Sequence, residues 1–220
     1  MMFFEQLKLA AKQEWQAYTQ HEFVRLLAKG TLEKESFQHY LKQDYLFLLH
    51  FTRAWGLAIY KSHSFAQMRY AQTGINALLD TEIGLHIDYC KEWGITEEQL
   101  LQEPESSACV AYTRYVLDCG LSGSLPELYT ALMPCLVGYA ETVEWLLAQP
   151  FTIEENNPYY PWIAMYSSKE YTEAVEIAKQ QFECMVSGLT PAQQDKLIDI
   201  FKTATRMEVA FWEMGLHQLA

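Results

Sequence analysis

The chain has 220 residues, with 16 basic residues against 28 acidic ones and a net charge of −12 at pH 7. This charge repels nucleic-acid phosphates and argues against DNA or RNA as a partner. Half of the residues are hydrophobic and only 20% are charged, which excludes an intrinsically disordered chain and predicts a folded one.

The spacing of apolar residues predicts a chain that is helical almost throughout. Apolar residues recur at steps of three and four, the period of a helix with one buried face. The 10 glycines and 7 prolines fall mostly between these periodic segments, where helices end. In chain order, the predicted segments cover residues 3–29, 32–61, 64–93, a short turn at 96–104, 106–119, 124–149, 159–166, 169–186 and 190 onward.

Local signals mark where several of these helices begin or bend. Thr190 with Gln193 three residues later has the pattern of a capping box, which satisfies free amides at a helix start. Pro134 lies inside the 124–149 segment, where it removes one backbone donor and crowds the preceding turn. We therefore expect a kink in that helix immediately before Cys135.

The chain shows no sign of division into domains or of export. It has no internal repeat, low-complexity tract or linker, so we expect one all-α domain, a helical bundle over residues 1–220. No apolar run approaches 18 residues, and the first residues lack a basic region, which predicts a cytoplasmic protein without a membrane span. Five cysteines without a C-x-x-C pair are expected to be free thiols.

The histidine spacing gives little support to a metal or haem site. A two-metal helical bundle uses Glu-x-x-His motifs, and none of the six histidines follows a glutamate by three residues. Glu82 with His86, and Glu213 with His217, lie four residues apart on one helix face, where a local ion pair or hydrogen bond is the simplest interpretation. No metal or cofactor is therefore predicted, although any histidine could serve as a haem ligand.

Three reactive side chains fall on apolar helix faces. Cys135 lies four residues before Tyr139 on one face, where both a structural cysteine and a reactive thiolate are possible. Asp44 and Glu208 interrupt apolar stripes, and a buried carboxylate is costly unless it is paired or neutralised. Either a ligand or a partner arginine or lysine across the helix interface would explain these acids. The candidate arginines are Arg53, Arg114 and Arg206.

Tyrosines are abundant, with 14 in the chain. Tyrosine combines a flat apolar face with one hydrogen-bonding group, which suits a planar heteroaromatic ligand. Several fall near the reactive side chains in the predicted second half of the chain: Tyr112, Tyr115, Tyr139, Tyr159, Tyr160 and Tyr166.

Five short motifs occur along the chain, and their order and spacing match those of a known protein family. They are Phe37-Gln-His-Tyr40-Leu-Lys-Gln-Asp44-Tyr45-Leu, Glu82-Ile-Gly-Leu-His86, Tyr112 followed by Pro134-Cys135-Leu-Val-Gly-Tyr139, Asn157-Pro-Tyr159-Tyr-Pro-Trp162-Ile-Ala-Met-Tyr166-Ser-Ser, and Glu208-Val-Ala-Phe211-Trp212. In this order they resemble the TenA family, thiaminase II or aminopyrimidine aminohydrolase, over essentially the whole chain.

The resemblance implies a fold similar to that of haem oxygenase, an all-α bundle around a central pocket, in a homotetramer without metal or haem. It implies Cys135 as the nucleophile, Glu208 as the acid at a pyrimidine ring nitrogen, and Asp44 as the partner of the ring's amidine edge. The residues implied to orient or pack the ring are Phe47, Tyr112, Tyr139 and Tyr166. Phe47 stands where some relatives carry a tyrosine, which keeps the stacking surface but supplies no hydroxyl for a polar contact.

The implied function is thiamine salvage. The enzyme would hydrolyse 4-amino-5-aminomethyl-2-methylpyrimidine to the 5-hydroxymethyl pyrimidine and ammonia, and thiamine to hydroxymethylpyrimidine and thiazole. Adding a thiolate to the ring pushes charge into it, which a proton at the ring nitrogen must meet. Two alternatives are a non-catalytic regulatory protein that binds thiamine or a pyrimidine, and a haem-binding protein on the same fold.

Overall fold

The computed structural model describes the backbone of residues 1–220 and every side chain except those of Thr81 and Leu85. Within it the chain forms twelve α-helices and one π-helical turn. The helices are α1 (Phe3–Ala10), α2 (Lys12–Thr19), α3 (Glu22–Ala28), α4 (Lys34–Lys61), α5 (Phe65–Ala77), α6 (Ile83–Glu92), α7 (Glu97–Gln102), α8 (Ser107–Ser122), α9 (Leu125–Leu147), α10 (Tyr160–Tyr166), α11 (Lys169–Val186) and α12 (Pro191–His217), with the π turn at Leu78–Glu82.

The N-terminal segment differs from its prediction as one helix over residues 3–29. It forms three short helices, which are separated at Ala11 and near His21. The His21 side chain starts α3 by accepting a hydrogen bond from the Phe23 amide. One face of each short helix is still buried, so the apolar period continues across the breaks and could not reveal them.

The predicted helix over residues 64–93 is also interrupted. Ser64, where the predicted segment begins, caps the start of α5 by accepting a hydrogen bond from the Gln67 amide. The chain then widens into the π turn, where the Ile83 amide bonds to the carbonyl of Leu78. Such a turn inserts one residue into the helical spacing and changes which side chains face the core.

The remaining predicted helices are confirmed to within a few residues. The helix α11 has the predicted bounds, and α9 runs through Pro134 without ending. The capping box of Thr190 and Gln193 is present at the start of α12. These start signals were reliable because each one consists of hydrogen bonds within four residues.

The helices enclose one continuous core in which α12 is central. It packs against α2, α4, α8 and α9. Trp212 of α12 stacks on Phe23 with ring centroids 5.0 Å apart. A Cβ at Gly138 of α9 would overlap the ring of Tyr18, so the close approach of α2 and α9 requires glycine there. In the part of the chain that the structure describes, no helix combines the length and apolar character needed to cross a bilayer.

Candidate active site

The side chains predicted to form the site lie on five helices that pack around one centre. The helices are α4, α8, α9, α10 and α12. Six of the seven side chains are at most 4% exposed, and Cys135 is partly exposed. The seven are Asp44, Phe47, Tyr112, Cys135, Tyr139, Tyr166 and Glu208.

Glu208 is a buried acid without a positive partner among the described side chains. It is 2% exposed, and the Tyr112 hydroxyl donates a hydrogen bond to its Oε1 at 2.8 Å. Burial raises the pKa of Glu208 to about 8; the Tyr112 hydrogen bond opposes this increase, and the charge of Asp44 adds to it. The carboxyl is therefore mostly protonated at neutral pH, as an acid for a ring nitrogen must be.

Asp44 is held by two hydrogen bonds to the same oxygen. The Tyr40 hydroxyl donates to Oδ2 at 2.9 Å, and His86 Nε2 lies 2.6 Å from that atom. The interpretation that an arginine pairs with the buried acids is wrong for Asp44, because its cation is His86; Arg114 instead pairs with Glu105 at 2.7 Å. Asp44 needs no distant arginine because His86 reaches it from α6.

His86 is a buried cation whose role the sequence pattern did not reveal. Its Nδ1 lies 3.0 Å from the backbone carbonyl of Glu82, so the expected local contact is with the backbone, and Nε2 points to Asp44. Burial lowers the pKa of His86, but the hydrogen bond and charge of Asp44 and the charge of Glu82 outweigh it and raise the pKa to about 9. The other predicted local pair is confirmed, since His217 lies 3.1 Å from Glu213.

Cys135 lies within the electrostatic field of three carboxyls. Burial, followed by the charges of Glu208, Glu82 and Asp44, raises the pKa of its thiol well above the usual range. The resting side chain is therefore a thiol. A reaction at this sulfur therefore requires a group that removes its proton as the new bond forms.

Aromatic rings surround these polar groups. Phe47 lies 5.0 Å from Tyr112 and 5.6 Å from Phe211, measured between ring centroids. The ring centroids of Tyr139 and Tyr166 lie 4.7 Å apart. These flat faces are suited to a planar ring held with its polar edge toward the carboxyls.

Several residues of the site were not predicted. Tyr40 and His86 stand inside the quoted motifs, but nothing in their spacing shows that they meet at Asp44. Tyr171 of α11 had no sequence signal. Its hydroxyl donates to the Leu136 carbonyl at 3.4 Å, and burial together with the charges of Glu82, Cys135, Glu208 and Asp44 raises its pKa.

A cavity of about 150 Å³ lies beside this centre. It is mainly apolar, and it shares His86 with the Asp44 network and Trp162 with the aromatic cluster of Tyr139. Its lining residues are Leu41, His86, Tyr89, Pro161, Trp162 and Met165. Among the described side chains, no group of three or more histidines, cysteines or acids is placed to hold a metal ion.

Comparisons with known sequences identify relatives along almost the whole chain. A sequence profile described as the TENA/THI-4/PQQC family matches residues 9–218. An uncharacterized protein of Haemophilus influenzae is 48% identical over 212 residues, which cover 96% of this chain and 98% of that protein. An aminopyrimidine aminohydrolase of Halalkalibacterium halodurans is 33% identical over 219 residues, which cover 99% and 97% respectively.

Solved structures have the same architecture. A TenA family transcription regulator from Silicibacter sp. TM1040 is 39% identical with a TM-score of 0.91, over 97% of this chain and 96% of that one. Haem oxygenase-1 from Synechocystis, at 17% identity and a TM-score of 0.63 over 97% and 91%, is similar in fold alone. These findings confirm the all-α, haem-oxygenase-like fold, and the chain belongs to the TENA/THI-4/PQQC family.

Proposed function

We propose that this protein hydrolyses 4-amino-5-aminomethyl-2-methylpyrimidine to the 5-hydroxymethyl pyrimidine and ammonia, and cleaves thiamine to hydroxymethylpyrimidine and thiazole by the same chemistry. The supporting observation is that one thiol, Cys135, lies within the electrostatic field of two buried carboxyls in different states. Glu208 is a neutral acid, and Asp44 is paired with the His86 cation. The aminopyrimidine aminohydrolase relative adds support from sequence.

In this proposal Asp44 binds the polar edge of the ring. Both protein hydrogen bonds to its carboxylate go to Oδ2. Among the described side chains none donates to Oδ1, so that oxygen is available to accept a hydrogen bond from the ring's amino group. Phe47 and Tyr112 pack on the ring, while Tyr139 and Tyr166 border it.

Glu208 and Cys135 then act together. As the sulfur bonds to the ring carbon next to the substituted one, Glu208 gives its proton to the adjacent ring nitrogen and takes the proton that the thiol releases. No free thiolate has to exist in advance, which agrees with the raised pKa of the thiol. The neutral acid stabilises charge where it develops in the transition state.

The adduct then expels the group on the exocyclic methylene, ammonia or thiazole. The leaving group keeps the electron pair of its bond to the methylene carbon, and ammonia takes up one proton as it leaves. An electron pair from the ring forms a double bond to that carbon. Water adds to the same carbon and gives up one proton, the ring nitrogen returns its proton, and the sulfur leaves with its own proton restored. The aromatic ring is regenerated, and one sequence of steps serves both substrates.

A direct assay tests the proposal. Purified protein is mixed with the aminopyrimidine, and ammonia and the hydroxymethyl product are measured together. We expect both to form in equal amounts over many turnovers. Binding of the aminopyrimidine without any ammonia would reject the enzyme and leave the alternative of a non-catalytic thiamine- or pyrimidine-binding regulatory protein, which the protonated resting thiol also permits. Light scattering of the same sample tests the proposed homotetramer.

A further inference from the structure

Glu82 is an acid of the central site that the mechanism above does not use. It ends the π turn Leu78–Glu82 and is only partly exposed. The Tyr166 hydroxyl donates to its Oε1 at 3.4 Å, and the ring of Tyr166 stands 4.7 Å from that of Tyr139. π turns are rare and occur frequently at functional sites, because the inserted residue turns a side chain out of the regular helical pattern.

The Glu82 carboxyl lies within electrostatic reach of both Cys135 and Asp44. Its charge raises the pKa of the Cys135 thiol, and the charge of Asp44 acts on Glu82 itself. The charges of Glu82 and Cys135 both raise the pKa of the Tyr171 hydroxyl. Glu82 therefore shares one region with the nucleophile and with the carboxylate that holds the ring edge.

The chemistry of the ring assigns a position to such a carboxyl. The ring carbon that bears the exocyclic methylene has two carbon neighbours. One bears the amino group that Asp44 binds, and the other is the carbon that the Cys135 sulfur attacks. A carboxyl near both Asp44 and Cys135 is consequently near the methylene and the group that leaves it.

We propose that Glu82 is a further catalytic residue, which transfers the proton at the exocyclic methylene in both halves of the reaction. This inference rests on the proposed function. In the first half, the Glu82 acid gives its proton to the amine nitrogen while the carbon–nitrogen bond breaks and its electron pair goes to nitrogen. Ammonia leaves, and Glu82 is left as a carboxylate.

In the second half the transfer runs in reverse. A water oxygen bonds to the methylene carbon, and the Glu82 carboxylate takes one proton from that water. The hydroxymethyl group is formed, and Glu82 is again an acid. Protons and electrons balance over the cycle, and no other reactant is needed.

The surroundings of Glu82 suit a group that must act both as a protonated acid and as a carboxylate. Burial raises the pKa of Glu82 to about 7, His86 lowers it, Asp44 raises it, and the Tyr166 hydrogen bond lowers it. The titratable groups that interact with Glu82 are His86 on α6, Asp44 on α4, Cys135 on α9, Tyr166 on α10 and Tyr171 on α11. An acid–base group whose pKa is close to the working pH is the most effective one.

The two substrates make the inference testable. Thiazole leaves thiamine as a neutral molecule and takes only an electron pair, so its departure needs no acid, whereas the later attack of water still needs a base. For Glu82→Gln we expect kcat for ammonia release to fall by roughly 100-fold or more, the usual contribution of general acid–base catalysis. With thiamine, we expect a rapid burst of one thiazole per enzyme, followed by slow formation of hydroxymethylpyrimidine.

Controls separate this result from damage to the fold. Asp88→Asn removes an exposed acid of α6, the helix that directly follows Glu82, and should leave both rates unchanged. The thiazole burst itself reports an intact site in Glu82→Gln. If that variant does not unfold cooperatively, Glu82→Ala with added formate replaces it, and restoration of ammonia release by formate is expected.

The outcomes for the inference and for the proposed function are distinct. A wild-type rate of ammonia release in Glu82→Gln overturns the role of Glu82 and leaves the function standing. Loss of the thiazole burst in a folded variant also overturns it, because Glu82 would then act before departure of the leaving group. A wild-type protein that releases neither ammonia nor thiazole rejects the function, and this inference with it.

Discussion

Asp44 on α4 and Glu208 on α12 are two buried acids of the candidate site, and they differ in charge. Both are buried, and each accepts a hydrogen bond from a tyrosine, Tyr40 at 2.9 Å and Tyr112 at 2.8 Å. His86 lies 2.6 Å from Asp44, while Glu208 has no such cation among the described side chains. In the proposed mechanism, a single histidine thus distinguishes the carboxylate that would bind the ring from the acid that would give it a proton.

The largest expected effect comes from removing the acid group of Glu208. In Glu208→Gln the amide can still accept from Tyr112, but it cannot give a proton to the ring. We expect kcat for ammonia release to fall by roughly 10²–10⁴-fold. Glu213→Gln, at a partly exposed position on the same helix, should keep the wild-type rate. If Glu208→Gln kept more than a tenth of the wild-type rate, Glu208 would not be the acid of the mechanism.

The next largest effect comes from removing the His86 cation that pairs with Asp44. His86→Gln leaves a buried carboxylate without its positive partner, which should lower the free energy of unfolding by about 3 kcal/mol. Urea unfolding at pH 7 measures it. The matched control is His217→Gln, whose ion pair with Glu213 is exposed, and which should cost less than about 1 kcal/mol. Equal losses in the two variants would contradict a structural ion pair at Asp44.

The smallest effect is a change in how stability depends on pH. Glu208 and His86 both have raised pKa values in the folded state, about 8 and about 9. The folded protein therefore holds more protons than the unfolded chain between pH 5 and 9, so its stability falls as pH rises through this range.

The variants Glu208→Gln and His86→Gln test which groups cause this pH dependence. The His86 contribution is fully present below its unfolded pKa near 6.5 and is lost as the pH rises through about 9. Unfolding free energies from pH 5 to 9 should fall less steeply in Glu208→Gln and in His86→Gln than in the wild type. Parallel curves for all three proteins would show that these groups do not keep their protons in the folded state.

The sequence predicted most of the helices because each start signal and apolar period is local. The capping box at Thr190 and the bounds of α11 involve contacts within a few residues. The break at Ala11 and the π turn at Leu78–Glu82 were missed, since packing between helices, rather than local preference, decides them.

The site shows the same limit. Motif resemblance supplied Cys135, Glu208 and Asp44, and their helices do pack around one centre. The partner of Asp44 could not be predicted from spacing, because His86 lies 42 residues away and reaches it across the α4–α6 contact. The predicted local pair of Glu82 and His86 accounts for the contact of His86 Nδ1 with the Glu82 carbonyl. It does not account for the contact of Nε2 with Asp44.

The most direct test of the account compares ammonia release from the aminopyrimidine by the wild type, Cys135→Ala and Cys184→Ala. Cys184 is exposed, so its loss controls for the removal of a thiol. The account predicts that Cys184→Ala keeps the wild-type rate and that Cys135→Ala loses turnover while it still unfolds cooperatively. Substantial turnover by Cys135→Ala would contradict a mechanism in which this sulfur bonds to the ring.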